Sequence, residues 1–576
     1  MSGLTPLKKY SWQVFFAPLL KVIECITELI VPFVVRSIID EGLTAGGTHY
    51  EDSTFVSLRC LIIFGLALVG FGCTMAAQYI CSRTATDFSR DLKNVLARQV
   101  FRISSGQMNA FGKSKAVNLI NNDAPSLQNG VFMFMRLIVR APFLVIGSVV
   151  ASFIVNVYAG IVVLCALACC AATILIVVLS TPKAYASLQG ELDTLSSYGE
   201  DNIVGARVVR AFNKQAESEE DFESHSEAYR KKALKISKIN AFINPLTFAF
   251  VNLAIILIIY LGSFEAPRTG LSAGSIVALI NFLTQCLAAL LQFTRLVTSL
   301  SKAWASKRRI DAFLAIEPEI VDGSIRELPE QKEGTHVFEL KDVSLSFGGE
   351  NNVLDHIDFT VDHGEKVGII GGTGSGKSTL LSLLLRFYDP SSGECFYEGE
   401  RMKDCALSLI RKDVAFVSQK PQLFKGTVRS NILFGSSQAS DEEIDAALEA
   451  AQAKEFVSRY EDGVDHEVEE GGANLSGGQK QRLLIARALL SKRKILILDD
   501  ATSALDYKSD LLVRQAIDKI PGLTTIIVSQ RATSIKDCDK IVVLDKGRII
   551  GCGNHEKLLA DCSVYREIYE AQVSQR

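Results

Sequence analysis

The 576-residue chain has few cysteines for its length, and their spacing matches neither a disulfide framework nor a metal site. None of the 13 cysteines forms a CxxC pair. Most of them lie in or beside apolar runs, where a buried thiol acts as a small hydrophobe. We therefore expect no disulfide scaffold, and a soluble part that faces a reducing cytosol. The net charge is only −3, so no strongly basic surface indicates a nucleic-acid partner.

Charged residues are also scarce in the first half of the chain. Residues 1–322 carry 29 Lys and Arg and 24 Asp and Glu, whereas residues 323–576 carry 32 and 40. The net charges of the two parts are therefore +5 and −8. A disordered chain is excluded because 48% of all residues are apolar. The split predicts a membrane part followed by a soluble domain.

Long apolar runs recur six times in the first half, and each is near the ~20 residues that a helix needs to cross a bilayer. The runs lie at about 13–38, 55–81, 130–155, 160–180, 242–263 and 274–297. Lysine and arginine cluster in the loops 83–128 and 181–240, while the opposite loops carry only Arg268. By the positive-inside rule, both termini and both long loops are cytoplasmic.

The two long loops have helical periodicity and are not predicted to be irregular. Residues 200–229 alternate apolar and charged positions at helical spacing. We expect the membrane helices to continue into the cytosol, with short turns near 109–115 and 206–212 that touch a soluble domain.

Polar side chains interrupt the apolar runs. Lys21, Glu24 and Glu28 have the spacing of one helix face. Intramembrane charge is costly, so such groups normally face a bundle interior or a wet cavity. A structural ion pair, for example between Glu28 and an arginine of the third run, is the alternative. The candidates for lining a substrate cavity are Glu24, Glu28, Arg136, Arg140, Asn281 and Gln285.

A phosphate-binding pattern opens the second half. Residues 371–379 match GxxxxGK[ST], with a strand-like run before them and an amphipathic run after them. The glycines let backbone N–H groups approach phosphate oxygens at a helix N-terminus. In this pattern the lysine reaches the β- and γ-phosphates and the following serine ligates Mg²⁺. The predicted nucleotide-binding residues are Gly371, Gly372, Thr373, Gly374, Ser375, Gly376, Lys377, Ser378 and Thr379.

Two further motifs are typical of a domain that binds nucleotides. The strand-like run 494–499 ends in Asp499, the expected Mg²⁺ partner at the carboxyl edge of a sheet. A second phosphate cradle, LSGGQ, precedes a helical run and comprises Leu475, Ser476, Gly477, Gly478 and Gln479. A single phosphate group needs only one such phosphate-binding loop, and residues 371–379 already supply it. The second cradle therefore implies that two such domains face each other, each serving the nucleotide of the other.

These motifs together resemble the ABC exporter family, specifically half-transporters in which one membrane domain and one nucleotide-binding domain are fused. GGTGSGKST is similar to the family's Walker A motif, LSGGQKQR to its signature, 495–499 to Walker B and 503–506 to the D-loop. GARVVRAF resembles the second coupling region. The resemblance implies that Gln419 senses Mg²⁺ and the attacking water, and that Phe347 stacks on adenine.

The same resemblance predicts the fold and its division. The predicted fold class is a six-helix transmembrane domain of the ABC exporter type, followed by an α/β P-loop nucleotide-binding domain. The predicted bounds are 1–316 for the membrane domain, 317–334 for a linker and 335–576 for the nucleotide-binding domain.

Two positions depart from the family pattern. The family usually has Glu directly after Walker B, where it polarises the attacking water, and His in the switch region; this sequence has Asp500 and Gln530. Asp is one methylene shorter, and a displacement of about 1 Å at a reacting centre can cost about 100-fold in rate. Gln cannot carry a positive charge. The catalytic candidates are Asp500, Gln530 and Gln419, in a site that we predict to hydrolyse ATP slowly.

An intact signature beside an altered site predicts a heterodimer. The partner would supply the catalytic Glu and the switch His, and residues 475–479 of this chain would complete the partner's site. We also predict that the partner's signature is altered. A homodimer with two slow sites is the alternative.

The resemblance also implies ATP and Mg²⁺ as cofactors and ATP-driven export of a small amphiphilic substrate, as in multidrug transporters. An importer or a lipid flippase of the same architecture stays open, as does a regulator or channel gated by ATP. We expect an integral protein in contact with membrane lipid, in a bacterial inner membrane, with the nucleotide-binding domain and both termini in the cytoplasm.

Overall fold

The computed structural model describes residues 3–44, 47–50, 52–180, 182–264, 270–329, 334–347 and 352–573. The chain divides into two compact units. One comprises Met1–Phe101 and Phe111–Glu317, and the other comprises Arg102–Ala110 and Pro318–Arg576. The second unit thus contains a short segment of the loop 83–128 as well as the second half of the chain.

The chain is helical up to residue 314 wherever the structure describes regular elements. The helices are α1 Ser11–Ser37, α2 Ser53–Arg102, α3 Ser105–Phe111, α4 Lys113–Asn118, α5 Ala124–Leu137, α6 Arg140–Val155, α7 Val157–Ser180, α8 Pro182–Val204, α9 Ala206–Ala211, α10 Gln215–Ala241, α11 Ile243–Phe264 and α12 Ala273–Leu314. Helix α2 alone has 50 residues, about 75 Å at 1.5 Å per residue. This length confirms that membrane helices continue far beyond a bilayer core.

Among the described residues, five helical stretches are long and apolar enough to cross a membrane. They are Ser53–Arg102, Lys113–Val155, Val157–Ile176, Gln215–Ser263 and Ala273–Leu314. The first of the six predicted spans lies in α1 and falls outside this group. Every 18-residue stretch of α1 contains Lys21, Glu24 and Glu28, so its apolar character is weaker. Helix α1 nevertheless packs on α5, α6 and α12.

Small residues allow close helix contacts inside the bundle. Helix α12 packs along α5 and α6, and a Cβ added at Gly130 of α5 would overlap the Cβ of Ala303 on α12. Small residues at crossings let membrane helices approach closely, since dispersion contacts replace the missing hydrophobic drive. By contrast, only 6% of the most apolar stretch of α2 is buried, as expected for a helix facing lipid or a second subunit.

The second unit contains three sheets and ten α-helices among its described residues after residue 334. The strands are β1 Phe338–Leu345, β2 Leu354–Val361, β3 Lys366–Gly371, β4 Ser392–Tyr397, β5 Glu400–Arg401, β6 Val414–Val417, β7 Gly426–Thr427, β8 Glu467–Val468, β9 Ile495–Asp499, β10 Thr524–Val528, β11 Lys540–Asp545 and β12 Arg548–Gly553. The helices are α13 Lys377–Leu384, α14 Leu407–Asp413, α15 Val428–Leu433, α16 Asp441–Ala450, α17 Lys454–Val457, α18 Gly477–Leu490, α19 Tyr507–Asp518, α20 Ala532–Ile535, α21 His555–Asp561 and α22 Ser563–Val573.

The largest sheet has the order β12-β11-β3-β10-β9-β6. Its neighbours are parallel except for the antiparallel edge pair β11 and β12. A four-stranded antiparallel sheet, β2-β1-β4-β5, and the short pair β7-β8 complete the fold. The strand-like runs predicted before the GxxxxGK[ST] pattern and at 494–499 are confirmed as β3 and β9.

The large sheet is buried on both faces, and side chains along one strand alternate between two cores. Ile495 and Ile497 of β9 pack in one core, with β1, β2 and β4. Leu496 and Leu498 pack in the other, with α16, α18 and α19. Because successive side chains point to opposite faces, a strand covered on both sides must be continuously apolar. Asp499 ends this apolar run at the carboxyl edge of the sheet.

A substitution at the α5–α12 crossing tests the bundle packing. We expect Gly130→Val to destabilise the membrane domain by about 1–3 kcal/mol, because added methyl groups overpack the contact with Ala303. Gly72→Val is the matched control, since Gly72 is exposed on α2 and has no atom within 4 Å of an added Cβ. Thermal unfolding of the purified chain in detergent measures both. Equal stability of the two variants would contradict this packing.

Candidate nucleotide site

The phosphate loop joins β3 to α13 and is shaped by its glycines. Gly374 and Gly376 have φ of +79° and +102°, a region in which a Cβ is strained. A Cβ at Gly371 would overlap the carbonyl oxygen of Leu544 on the adjacent strand. The Lys377 ammonium donates to the carbonyl oxygens of Gly371 and Gly372 at 2.8 and 2.7 Å. The loop therefore holds its cation over the turn that the motif assigns to phosphate.

Ser378 and Asp499 meet beside this loop. The Ser378 hydroxyl donates to Asp499 Oδ1 at 3.3 Å, and Asp499 is only 7% exposed. A hydroxyl and a carboxylate are hard oxygen donors, which fit Mg²⁺. The described residues contain no group of three or more His, Cys, Asp or Glu that could hold a metal.

Asp500 lies at the meeting point of three loops. Gln419 Nε2 and Gln530 Nε2 each lie 3.5 Å from Asp500 Oδ2. Gln419 follows β6, Asp500 follows β9 and Gln530 follows β10, so the carboxyl ends of three parallel strands bring them together. The structure therefore assembles all three predicted catalytic candidates around one carboxylate oxygen, at the outer limit of hydrogen-bond length.

The backbone of Asp500 is held in the left-handed region. Its φ is +49°, which Asp tolerates better than most residues. Its N–H donates to the Val528 carbonyl at 2.9 Å, and its own carbonyl accepts from the Ser503 hydroxyl at 2.8 Å. These bonds hold the backbone from which the short Asp side chain begins.

Burial perturbs the ionisable groups at this sheet edge. It raises the pKa of Asp499, and the nearby Asp500 adds to that effect while Ser378 and Lys377 oppose it. Burial likewise raises the pKa of Asp500, against hydrogen bonds from Gln419 and Gln530 and the charges of Lys377 and Arg531. Burial lowers the pKa of Lys377, although both carboxylates oppose this. Each of these groups is desolvated, a common feature of sites that bind or transform charged ligands.

The signature residues form a capped helix start. Ser476 is the N-cap of α18: its hydroxyl accepts from Gln479 N–H at 3.3 Å, and the Gln479 side-chain oxygen accepts from Ser476 N–H at 2.8 Å. This capping box satisfies two backbone donors. Leu475 is buried and anchors the turn, whereas Ser476 and Gly477 are exposed. A Cβ at Gly478 would lie 3.0 Å from the Ala504 carbonyl, so the motif abuts the D-loop.

Phe347 lies at the end of the described part of its loop. It is 54% exposed, and its ring meets that of Tyr388 edge-on at 4.9 Å. In the same unit, a Cβ at Gly106 would lie 3.0 Å from Tyr388 Cε1, and Ser104 donates to Glu319 at 2.9 Å. The sequence predicts that the first loop turn, near 109–115, touches a soluble domain. The contact is made by Ser104 and Gly106, which lie just before that turn. Sequence reasoning missed Tyr388 because no spacing ties it to Phe347.

The polar residues of the membrane bundle form an ion-pair cluster. Lys21 Nζ lies 2.5 Å from Glu24 Oε2. Arg140 lies 2.8 Å from Glu28 and 3.3 Å from Glu24, and it donates to Gln292 at 3.0 Å. The alternative of an ion pair between Glu28 and an arginine of the third run is therefore present.

The six cavity candidates are not all in this cluster. Gln285 donates to the Glu28 carbonyl at 3.4 Å and so joins Glu24, Glu28 and Arg140. Arg136 contacts the Phe132 ring of its own helix, and the exposed Asn281 donates to Val277 one turn back. A role of these residues in lining a substrate cavity stays a prediction.

Comparison with known proteins places both halves of the chain. Residues 14–290 match the family described as "ABC transporter transmembrane region", and residues 354–503 match the family "ABC transporter". The chain is 31% identical to an uncharacterized ABC transporter ATP-binding protein, YfiB of Bacillus subtilis, over 99% of this chain and 98% of that protein. It is 27% identical to an ATP-dependent lipid A-core flippase of Vibrio vulnificus, over 99% and 96% of the two chains.

The fold also matches a solved structure. A bacterial Atm1-family ABC exporter with ATP bound superposes with a TM-score of 0.79 at 24% identity, over 98% of each chain. The predicted fold class, a helical membrane domain followed by an ABC nucleotide-binding α/β domain, is confirmed. The chain belongs to the ABC transporter family, as an integral membrane half-transporter that binds ATP and dimerises.

Proposed function

We propose that this chain drives export across a membrane as one half of a heterodimer, and that its own ATP site binds Mg²⁺–ATP but hydrolyses it slowly. Its signature residues, Leu475–Gln479, would complete the active site on the partner. The observation that carries this proposal is the placement of Asp500 between two amides, Gln419 and Gln530, at 3.5 Å from each.

The geometry explains why turnover would be slow. The carboxylate of Asp500 starts from a backbone fixed on Val528 and Ser503, and it is one methylene shorter than Glu. A carboxylate set back by about 1 Å cannot hold a water in line with the phosphate equally well, since such errors can cost about 100-fold. An amide at position 530 donates a hydrogen bond but carries no charge to offset that of the transferred phosphoryl group.

Binding depends mainly on residues other than Asp500 and Gln530, and those residues match the family motifs. Lys377 and the glycine-rich loop would hold the phosphates, and Phe347 would stack on the adenine base. Ser378, Gln419 and Asp499 would hold Mg²⁺, which neutralises phosphate charge when bound. Tight binding with slow hydrolysis would keep the two nucleotide domains together through a transport cycle.

An asymmetric pair accounts for the intact signature. In a homodimer, the signature would serve only a second copy of the slow site. Ser476 and Gly477 are exposed at a capped helix start, so they are available to another subunit. A partner with the catalytic Glu and switch His would use them, and consistency across the motifs favours this arrangement.

The second cytoplasmic loop offers a surface for the other subunit. At its turn, Ile203, Val204, Val208 and Phe212 are 60–82% exposed. Apolar side chains clustered on a polar cytosolic helix pair commonly mark a protein contact. We infer that this turn, residues 203–212, docks on a nucleotide-binding domain and passes its closure to the membrane helices.

The substrate we propose is a small amphiphile. The Vibrio relative is named for a lipid substrate, and the bundle interior of this chain carries polar groups of both signs beside apolar surface. A lipid flippase is therefore the second candidate. Transport of a fluorescent lipid against an apolar dye, in vesicles of the same composition, separates the two.

Restoring the family residues tests the slow-site proposal. We expect Asp500→Glu with Gln530→His to raise Mg²⁺-dependent ATP turnover of the lipid-embedded chain by about 10–100-fold, because the longer carboxylate and the cationic ring return to the water and the phosphate. Each single variant should give a smaller rise. Steady-state hydrolysis by the chain alone measures the effect.

The control for this assay is the double variant with Lys377→Ala added, which should abolish the gain. Equal binding of a fluorescent ATP analogue to the native and the double-variant chain excludes misfolding. High turnover by the native chain, unchanged or lowered in the double variant, would contradict the proposal and favour a homodimeric pump.

A charge on the docking turn tests the proposed coupling surface. We expect Phe212→Asp to lower ATP turnover of the lipid-embedded dimer by about tenfold, since a buried carboxylate at an interface is costly, while the affinity for ATP stays within twofold. Leu234→Asp is the control, because Leu234 is also exposed on α10 but lies away from the turn. Equal turnover of both variants would rule out docking through Phe212.

A further inference from the structure

One side chain of helix α22 hydrogen-bonds to the backbone of residues 530–532, called here the switch segment. Gln572 of α22 donates from Nε2 to the Gln530 carbonyl at 2.7 Å and accepts at Oε1 from the Ala532 N–H at 2.8 Å. The side-chain amide of Gln572 therefore makes two hydrogen bonds to the backbone, one on each side of Arg531. The contact joins residues 42 positions apart, and no sequence motif points to it.

The helix that carries Gln572 is itself firmly seated. Tyr565 of α22 is fully buried in the core that also contains Ile535 and Cys538, and its hydroxyl pairs with His555 Nδ1 at 2.8 Å. Helix α22 packs on both α20 and α21. These two hydrogen bonds therefore connect the backbone of the switch segment to a helix that is anchored in the domain core.

Two sets of contacts connect the switch segment to Asp500. Gln530 places its amide 3.5 Å from Asp500 Oδ2. Arg531 donates to the Ser503 carbonyl at 3.2 Å, and the Ser503 hydroxyl donates to the Asp500 carbonyl. These four residues, together with Gln572, line one cavity of about 510 Å³. A shift of the switch backbone would therefore move groups on both sides of the carboxylate.

We propose that Gln572 is a positioning residue for ATP hydrolysis. It holds the backbone of residues 530–532 so that the side chain of residue 530 stays on Asp500. The inference rests on the proposed role of Gln530 in the hydrolytic site. It adds a residue of α22, outside every motif, to those that position the groups around Asp500.

The test separates the rate of hydrolysis from the binding of ATP. Single-turnover hydrolysis of bound ATP by the full chain in lipid should slow by about tenfold in Gln572→Ala, as expected for a misplaced group near the reacting atoms. The dissociation constant for ATP should stay within twofold. Glu567→Ala is the matched control, because Glu567 is exposed on the same helix, and it should match the native chain in rate, affinity and thermal midpoint.

A double-mutant cycle identifies the route of action. In a Gln530→Ala background, Gln572→Ala should slow hydrolysis by clearly less than tenfold, because the side chain of residue 530 is gone and only the route through Arg531 and Ser503 is left. The proposal is overturned by an equal tenfold loss in that background, by a parallel loss of ATP affinity, or by an unchanged rate. These outcomes would mean a general structural role or none.

Failure of this inference and failure of the proposed function give different results. The slow-site proposal fails when Asp500→Glu with Gln530→His brings no gain in turnover. The Gln572 inference fails when its effect does not depend on residue 530, whether turnover is fast or slow, because single-turnover rates are measurable in both cases.

Discussion

Two amides and one half-buried carboxylate meet at the carboxyl edge of the parallel sheet, and the proposed slow hydrolysis depends on that meeting. Asp500 begins from a left-handed backbone tied to β10 and to Ser503. Its oxygen lies at the limit of hydrogen-bond length from Gln419 and Gln530. The three groups come together because they follow three strands that are neighbours in the sheet, β10, β9 and β6.

In the membrane domain, charged side chains in a poorly solvated position are stabilised by ion pairs with one another. Lys21, Glu24, Glu28 and Arg140 are charged, yet their pairing makes the cluster neutral. Removing one member would leave an uncompensated charge in a poorly solvated place, which is far more costly than the pair is favourable. The cluster therefore holds α1 to α6 as long as the bundle keeps one arrangement, and a change in helix spacing would act directly on these ion pairs.

Much of this could be read from the sequence, because the informative signals were local. The glycine spacing at 371–376 and the apolar run before Asp499 specify a loop and a strand without distant partners, and both are present. Contacts between distant segments could not be read in the same way. Nothing in the spacing ties Gln572 to Gln530 or Phe347 to Tyr388. The charges of α1 also make it too polar, by composition, to be grouped with the five most apolar stretches.

The fate of ATP bound to this chain tests the central claim most directly. The chain, purified alone and embedded in lipid, is loaded with radiolabelled ATP and Mg²⁺, freed of excess nucleotide and sampled over time for ATP and ADP. A site built on Asp500 and Gln530 should return most of the label as ATP after minutes, and lose the label altogether in Lys377→Ala. Recovery mainly as ADP within seconds would show a competent site, and would contradict the account.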